Sequence, residues 1–370
     1  MNIAFTHSPQ STLGVEWELH LVDQATLELA PVAAELVALV GPDEGQPIRK
    51  EYLPCCIEVV SQPRRRVADA IADIAAHLDR LRPAAAELGV TLMGAGSHPF
   101  GDPAGTKPYP IPRYLEVAER NQWWGRQMTI CGTHVHVGVS DRAKVLPMMW
   151  TYARFYPHIL ALTAASPFWY GEDTGYASQR TMMFQQLCTN GLPYYFSEWA
   201  EFEACVDDLV RCGIIEHVDE LRWDVRPSPK FGTVENRIPD SAPTLAEIGC
   251  QAALTQCLGQ YFSDSLDDGD SPDYLPPWLV RENKWRAARY GLEAEIITPQ
   301  PGRLLLPLRE AIERLVEHLM PYAETLDCVA ELSFASELLR HGASYERQRH
   351  VAAQAGWAPD APAAANRGAL

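Results

Sequence analysis

The sequence lacks a long uninterrupted hydrophobic segment. Its first ten residues, MNIAFTHSPQ, contain neither a basic start nor an apolar core, so no secretory signal is visible. The most apolar stretch, residues 145–170, is interrupted by Pro147, Arg154, Pro157 and His158, and it predicts buried helix rather than a bilayer span. We therefore expect a cytoplasmic protein with no membrane partner.

Positive charge is also scarce. The 370 residues include 31 Lys and Arg against 48 Asp and Glu, which gives a net charge of -17. This balance does not favour nucleic acid or an anionic membrane as a partner, and a small-molecule substrate is the better expectation. An acidic protein can still bind a nucleoside triphosphate where carboxylate-bound divalent ions supply positive charge.

The cysteine patterns typical of metal or disulfide sites are absent. The nine cysteines are odd in number, contain no C-x-x-C pair, and include the adjacent Cys55 and Cys56. This pattern argues against both a zinc site and a disulfide framework, and it is typical of a reducing compartment. No cysteine has the sequence context of a catalytic nucleophile, so most are interpreted as core residues.

Apolar residues at intervals of three and four predict helices. In residues 66–88 one apolar stripe is formed by Val67, Ile71, Ile74, Leu78 and Leu81. Similar patterns occur at residues 113–128, 144–162, 244–262 and 303–339, with short β-like segments between them. The mixture predicts an α+β fold. No internal repeat or long linker is visible, so we expect one catalytic domain over residues 1–357. The Ala- and Pro-rich residues 358–370 are predicted to be a disordered tail.

The β-like segments carry polar side chains opposite an apolar face, because alternate residues of a strand share a face. In residues 13–22 the polar face carries Glu16, Glu18 and His20. The other polar faces carry His134 and His136 in residues 130–139, Glu235 and Arg237 in residues 232–238, and Glu51 and Glu58 in residues 50–61.

Carboxylates and imidazoles from several strands would form a surface able to bind hard divalent cations, Mg²⁺ or Mn²⁺. Mg²⁺ takes only one or two carboxylates and shares its remaining positions with waters and phosphates. A larger set therefore indicates two or three ions around a triphosphate. Arg237, beside Glu235, could neutralise the charge that develops on a transferred phosphoryl group.

Each pattern also has a structural interpretation. An E-x-E strand can be a solvated sheet face, an H-x-H pair can be structural, and Glu235 with Arg237 can be a surface ion pair. Glu51 and Glu58 are seven residues apart and would lie on opposite faces of one strand. They reach the same site only if a bulge or the break at Pro54 intervenes.

Several longer motifs occur in a fixed order over about residues 12–355. They are GVEWELHLVD, MGAGSHPF, CGTHVHVGV, ASPFWYGEDTGYASQR, WDVRPSPKFGTVENRIPD, ENKWRAARYGLEAEII and YERQR. Together they resemble the glutamate–cysteine ligase type 2 family of bacterial carboxylate–amine ligases. The resemblance implies a catalytic domain of the glutamine synthetase and guanido kinase type, in which an antiparallel β-sheet funnel is flanked by helices. ENRIPD resembles the glutamine synthetase run in which a metal-binding Glu precedes a phosphate-facing Arg by two residues.

By this resemblance, the metal ligands are expected to be Glu16, Glu18, Glu58, His134 and Glu235, with Glu51 as a further candidate. The catalytic residues facing phosphate or substrate are expected to be His136 and Arg237. Candidates for binding a substrate carboxylate or phosphate are Arg180, Arg222 and Arg226, since a guanidinium matches such groups bidentately. A structural role is the open alternative for these three arginines.

The resemblance implies a ligase that uses ATP and Mg²⁺ or Mn²⁺ to form an amide bond. A substrate carboxylate attacks the γ-phosphorus, and an amine then displaces phosphate from the acyl phosphate. Glutamate is the expected carboxylate and cysteine the expected amine, with weak activity, and a homodimer is a possible assembly. One alternative is a non-catalytic regulatory protein of the same fold that binds metal or nucleotide. A metal-dependent amidohydrolase also uses H-x-H, but it needs alternating βα units that this chain does not supply.

Overall fold

The computed structural model describes residues 2–41, 46–270, 275–299 and 305–356. Its strands are β1 (Leu13–Asp23), β2 (Ile48–Lys50), β3 (Cys56–Val60), β4 (Val90–Met93), β5 (Thr133–Gly138), β6 (Phe168–Trp169), β7 (Glu172–Asp173), β8 (Asn190–Gly191), β9 (Arg222–Trp223), β10 (Val225–Ser228), β11 (Thr233–Asn236), β12 (Glu295–Ile297) and β13 (Leu305–Pro307). Its helices are α1 (Ala33–Val40), α2 (Val67–Glu87), α3 (Pro112–Arg126), α4 (Val145–Arg154), α5 (Tyr156–Thr163), α6 (Gln179–Phe184), α7 (Trp199–Arg211), α8 (Leu245–Asp267), α9 (Pro277–Tyr290), α10 (Leu308–Leu326), α11 (Val329–His341) and α12 (Ser344–Gln354).

The main sheet has the strand order β10-β11-β5-β1-β3-β2, and β4 also pairs with β1. Every pairing within this sheet is antiparallel. β1 is the longest strand and contacts three neighbours, since β3 lies on one edge while β5 and β4 follow one another along the other. The mixed α+β fold with an antiparallel sheet is therefore confirmed.

One face of this sheet is apolar and forms the core. The predicted inward residues of β1 are all buried, and they are Leu13, Val15, Trp17, Leu19 and Leu21. Helices α2 and α8 contact β1 and contribute to the same hydrophobic cluster. The N–H of the Trp17 indole donates to Ser241 Oγ at 3.0 Å and to the Ala242 carbonyl at 3.1 Å, which satisfies the polar atom of this buried ring.

The predicted helices are present, with two differences in extent. The pattern at residues 144–162 forms two helices, α4 and α5, which are separated at Phe155. The pattern at residues 303–339 also forms two helices, because Asp327 adopts a left-handed conformation (φ 55°) that ends α10. Residues 303–304 and the predicted tail, 358–370, lie outside the described residues.

A single domain over residues 1–357 stays a prediction. It is supported by one hydrophobic cluster that includes residues from Ile3 to Tyr345. Among the described residues, no helix is both long and apolar enough to cross a bilayer.

A buried ion pair connects α9 to the segment between β9 and β10. Lys284 Nζ lies 2.7 Å from Asp224 Oδ2, and the two side chains are only 4% and 3% exposed. The backbone carbonyl of Asp224 accepts a hydrogen bond from the backbone N–H of Arg237 at 2.8 Å. The pair therefore anchors the backbone at a predicted catalytic residue.

We expect Lys284→Met to lower the free energy of unfolding by about 3–5 kcal/mol, because it leaves the buried Asp224 carboxylate without its cation. Denaturant unfolding followed by circular dichroism measures the change. Arg340→Met is the control, since Arg340 forms an exposed pair with Glu337, and it should cost under about 1 kcal/mol. Equal losses in both variants would contradict the assigned importance of the buried pair.

Candidate active site

The polar face of the main sheet lines a cleft of about 1490 Å³, counted with the space open to solvent. All the predicted site residues contribute to its lining, namely Glu16, Glu18, Glu51, Glu58, His134, His136, Arg180, Arg222, Arg226, Glu235 and Arg237. The structure thus brings together side chains that are spread over more than two hundred positions of the sequence. Their individual roles stay predictions.

Strand register brings the histidines next to the carboxylates. Glu16 on β1 lies opposite His134 on β5, and Glu235 on β11 lies opposite His136 on β5. Paired residues on neighbouring antiparallel strands project from the same face. Three adjacent strands therefore direct their polar side chains into the cleft.

Three groups of acidic and histidine side chains are compact enough to hold a metal ion, with candidate ligand atoms within 4.8 Å of one another. The groups are Glu16 with His136 and Glu235, Glu16 with Glu58 and His134, and Glu18 with Glu51 and Glu58. Glu16 and Glu58 each belong to two groups. Ions bound here would be neighbours that share ligands, as in sites that clamp a phosphoryl group.

Glu51 reaches this face because it does not lie on the strand of Glu58. β2 ends at Lys50 and β3 begins at Cys56, and a turn through Pro54 lies between them. Glu58 lies opposite Glu18 in the register of β1 and β3. In one continuous strand Glu51 and Glu58 would lie on opposite faces. The turn through Pro54 breaks the strand and allows both side chains to face the cleft.

The carboxylates are crowded and largely shielded from water. Burial and the charge of the neighbouring Glu18 carboxylate together raise the pKa of Glu51 to about 8. Burial and the charge of Glu16 likewise raise the pKa of Glu58 well above its usual range. A bound cation would relieve this repulsion, so the donor set fits a hard divalent ion.

His134 presents an imidazole nitrogen suited to a metal. Burial and the nearby Arg237 lower its pKa, which favours the neutral ring. Its Nδ1 lies 3.3 Å from Glu16 Oε2. Its Nε2 is buried and has no hydrogen-bond partner within the described ranges. Neutral imidazole is the metal-binding form, and a buried nitrogen without a hydrogen-bond partner fits the role of a metal ligand.

Glu235 is buried among positive charges, so the interpretation as a surface ion pair is wrong. Its side chain is 1% exposed, Arg226 Nε donates to it at 2.7 Å, and Arg237 Nη1 also donates to it. Burial alone would raise the pKa of Glu235, but Arg226 and Arg237 outweigh burial and lower the pKa below its usual range. The carboxylate therefore stays ionised.

Arg180 supports the strand end that carries Arg237. Its guanidinium donates to the backbone carbonyls of Arg237 and Ile238 and pairs with the buried Asp240 at 3.8 Å. At Gly132 a side chain would lie 2.1 Å from Arg180 Nη2, so glycine leaves space for the guanidinium. These contacts indicate a positioning role at the edge of the cleft.

Arg222 differs from the other arginines of the cleft. Burial and the charges of Arg237 and Arg226 lower its pKa. In the part of the chain that the structure describes, it forms no ion pair with a carboxylate. The nearby Glu220 charge favours the charged form of Arg222 but is outweighed by Arg237 and Arg226, so this guanidinium suits a phosphate or carboxylate of a ligand.

Several residues of the cleft were not predicted from the sequence. Arg49 on β2 lies opposite Glu58 and approaches its carboxylate at 3.4 Å. Lys230 and Phe231 lie in the turn between β10 and β11, and the exposed Phe231 ring lies 5.9 Å from His136. Arg49 could have been identified because it alternates with Glu51. Lys230 and Phe231 could have been identified because they form the hairpin turn directly before the strand of Glu235.

Comparisons with known proteins identify relatives of the whole chain. The model of glutamate-cysteine ligase family 2 matches residues 12–361 of the chain. A Mycolicibacterium vanbaalenii protein named "Putative glutamate--cysteine ligase 2-1" is 49% identical over 350 residues, which cover 95% of this chain and 91% of that protein.

Two solved structures share the fold at low sequence identity. A Francisella tularensis glutamate–cysteine ligase, solved in complex with AMP, superposes with a TM-score of 0.68 at 13% identity, over 99% of this chain and 89% of that one. A bifunctional glutathione synthetase from Pasteurella multocida gives a TM-score of 0.56 at 14% identity, over 97% of this chain and 52% of that one. The predicted ligase-type catalytic fold is confirmed.

The raised pKa of Glu51 predicts a pH dependence for the metal-free protein. In the folded state the pKa is about 8, above the ordinary 4.5 expected on unfolding. Stability from this group is therefore complete at low pH and is lost as the pH rises from about 5 to about 8. Glu51→Gln cannot ionise, so its free energy of unfolding should fall less over this range.

Urea denaturation at a series of pH values, in the presence of a chelator, measures the difference between Glu51→Gln and the parent. Mg²⁺ added at about pH 8 should restore stability to the parent more than to the variant. Glu324→Gln, at an exposed position on α10, should follow the parent curve. Parallel curves for Glu51→Gln and the parent would contradict the burial of an uncompensated carboxylate.

Proposed function

Because the chain belongs to glutamate–cysteine ligase family 2, we propose that it is an ATP-dependent carboxylate–amine ligase. It forms an amide bond through an acyl phosphate, with glutamate as the carboxylate and cysteine as the amine, and its glutamate–cysteine ligase activity is weak. The observation that carries the proposal is the set of three overlapping carboxylate–histidine groups beside a cluster of arginines.

The donor set supports Mg²⁺ or Mn²⁺ as the metal. The residues that would hold the ions are Glu16, Glu18, Glu51, Glu58, His134 and Glu235. Carboxylate oxygens dominate this set, which is the preference of hard cations. Bound there, the ions would neutralise phosphate charge and bring the triphosphate next to the attacking carboxylate.

Arg237 is placed to act on charge that grows during phosphoryl transfer. Glu235 and the backbone contact with Asp224 hold it at the cleft. Its Nε is buried without a hydrogen-bond partner among the described residues, so this arginine retains donor capacity. A preorganised donor of this kind stabilises the transition state without reorganising during the reaction.

The carboxylates around His136 favour its positively charged form in the metal-free site. Burial lowers its pKa, but Glu235 and Glu16 outweigh burial and raise it. Nδ1 lies 2.9 Å from Thr233 Oγ1, while Nε2 lies 3.6 Å from Glu16 Oε1. The imidazolium form can donate N–H to a phosphate or carboxylate oxygen.

Substrate recognition is assigned to the arginines on the other side of the cleft. Arg222 is the strongest candidate for a substrate carboxylate because the positive charges of Arg237 and Arg226 outweigh the nearby negative charge of Glu220, while Arg226 is already paired with Glu235. The similar Francisella ligase binds AMP, which supports an adenine nucleotide as the partner of this chain. A cytoplasmic location and a homodimer remain part of the proposal.

Steady ADP release should require ATP, Mg²⁺ or Mn²⁺, glutamate and cysteine together, because the amine completes a reaction that the carboxylate begins. A coupled assay measures ADP, and mass spectrometry identifies the amide. With hydroxylamine in place of cysteine, an acyl phosphate should be trapped as glutamyl hydroxamate. Nucleotide binding without turnover over a panel of carboxylates and amines would favour the regulatory alternative. Zn²⁺-dependent amide hydrolysis without ATP would sink the ligase assignment.

Arg237→Lys should lower kcat about 10²- to 10³-fold, equivalent to roughly 2.7–4 kcal/mol of transition-state stabilisation. Lysine keeps the charge that pairs with Glu235 but cannot offer a planar fork to two phosphoryl oxygens. Stability, measured by denaturant unfolding, should change much less than the transition-state stabilisation, because lysine leaves the buried Glu235 carboxylate paired with a cation. Arg340→Lys, on the exposed surface of α11, is the matched control. Parental kcat in Arg237→Lys would remove this arginine from the reaction.

A further inference from the structure

A second cluster of metal-ligating side chains lies beside the carboxylates but differs from them in chemistry. His20 Nδ1 lies 3.7 Å from Cys56 Sγ and 3.6 Å from Cys131 Sγ, and the two sulfurs are 3.6 Å apart. We propose that these three side chains form a site for a soft divalent metal ion, with Zn²⁺ as the expected occupant.

The three distances match the edges of a zinc coordination tetrahedron. Zn–S bonds of about 2.3 Å and Zn–N bonds of about 2.0–2.1 Å place neighbouring ligand atoms roughly 3.6–3.8 Å apart. An ion could therefore enter between the three atoms with little movement of the backbone. Cys55 is buried in the same small cluster as Cys56 and Cys131 and is a further sulfur beside the proposed site.

The sheet supplies these ligands from three adjacent segments. His20 is two residues beyond Glu18 on β1 and therefore shares its face. Cys56 lies opposite His20 on β3. Cys131 leads into β5 along the other edge of β1, where the Gly132 carbonyl accepts the Glu18 N–H at 3.0 Å. The three ligands are far apart in the sequence and form no C-x-x-C motif. The cysteine spacing by itself therefore argued against zinc.

Burial and charge both suit a neutral soft-metal site. The exposed fractions of His20, Cys56 and Cys131 are 0%, 3% and 1%. Two thiolates offset the charge of a divalent ion, and the thiol protons are released to solvent when it binds. The complex is then neutral overall, so the cost of burying it is small compared with that of an unpaired charge.

The two ring nitrogens of His20 have different surroundings. Its Nε2 is buried and has no hydrogen-bond partner among the described residues. Both thiols contact Nδ1, which is therefore the nitrogen that would coordinate the ion. A disulfide is a poorer interpretation, because β3 and β5 lie on opposite edges of β1. Their backbones are then about 9–10 Å apart, which exceeds the separation of about 7 Å that a disulfide spans.

The first test uses the full chain purified without chelator. We expect elemental analysis to find Zn²⁺ that resists mild chelation. Replacing Zn²⁺ with Co²⁺ should produce the near-ultraviolet charge-transfer band of a thiolate–cobalt bond. The carboxylate–histidine groups contain no sulfur, so this band distinguishes binding to thiols from binding to those groups. Absence of the band on titration of the metal-free protein with Co²⁺ would overturn the proposal.

The second test compares Cys56→Ser and Cys131→Ser with Cys250→Ser, a buried cysteine on α8 outside the cluster. Each cluster variant should retain about one equivalent less Zn²⁺ per chain and lose most of the cobalt band. Cys250→Ser should match the parent in both measurements. Should either serine variant unfold, the cobalt titration of the parent still decides the question. Parental zinc content and band intensity in a folded Cys131→Ser variant would refute the site.

Discussion

The crowding of buried carboxylates on one sheet face is the constraint on which the rest of the cleft depends. Ligand atoms of Glu58 lie within 4.8 Å of Glu16 in one group and of Glu18 and Glu51 in another, where water cannot screen the charges fully. A folded chain tolerates this only if protons, arginines or metal ions supply positive charge. In the metal-free site the raised pKa lets Glu51 retain a proton, and in the ligase that we propose bound divalent ions would supply the positive charge instead.

The apolar face of the same sheet provides the stability that holds these carboxylates close together. Trp17 and its apolar neighbours on β1 pack against α2 and α8, so hydrophobic burial fixes the strands on which the acidic residues sit. A one-residue slip of β1 would exchange both faces at once. The register that places Glu16 opposite His134 is therefore protected by the whole core, and the ligands are held in place before any ion binds.

How much of this could be predicted follows from the range of each physical signal. Period-two alternation is local, and it correctly separated the faces of β1, β5 and β11. The sequence showed that Glu51 and Glu58 can reach one site only if a break lies between them. It could not show that the break occurs, since turns depend on tertiary context. The contact of Arg180 with the carbonyl of Ile238 joins segments 58 positions apart. No periodicity encodes such a contact, so the sequence could offer Arg180 only as a substrate-binding candidate with a structural alternative.

The alternation along β1 also brings two different kinds of potential metal ligand onto one strand face, which local motifs could not show. Successive residues on the polar face of β1 change from carboxylates, at Glu16 and Glu18, to an imidazole flanked by thiols, at His20. The carboxylates line a cleft open to solvent, whereas the thiols are closed off from it. Ligand hardness and solvent access therefore change together along one strand. Under the two proposals, hard ions that exchange with a nucleotide would bind to oxygen donors, and a soft ion that stays bound would bind to sulfur. Two metals of different chemistry could be sorted in this way by a single strand, without a separate domain for either.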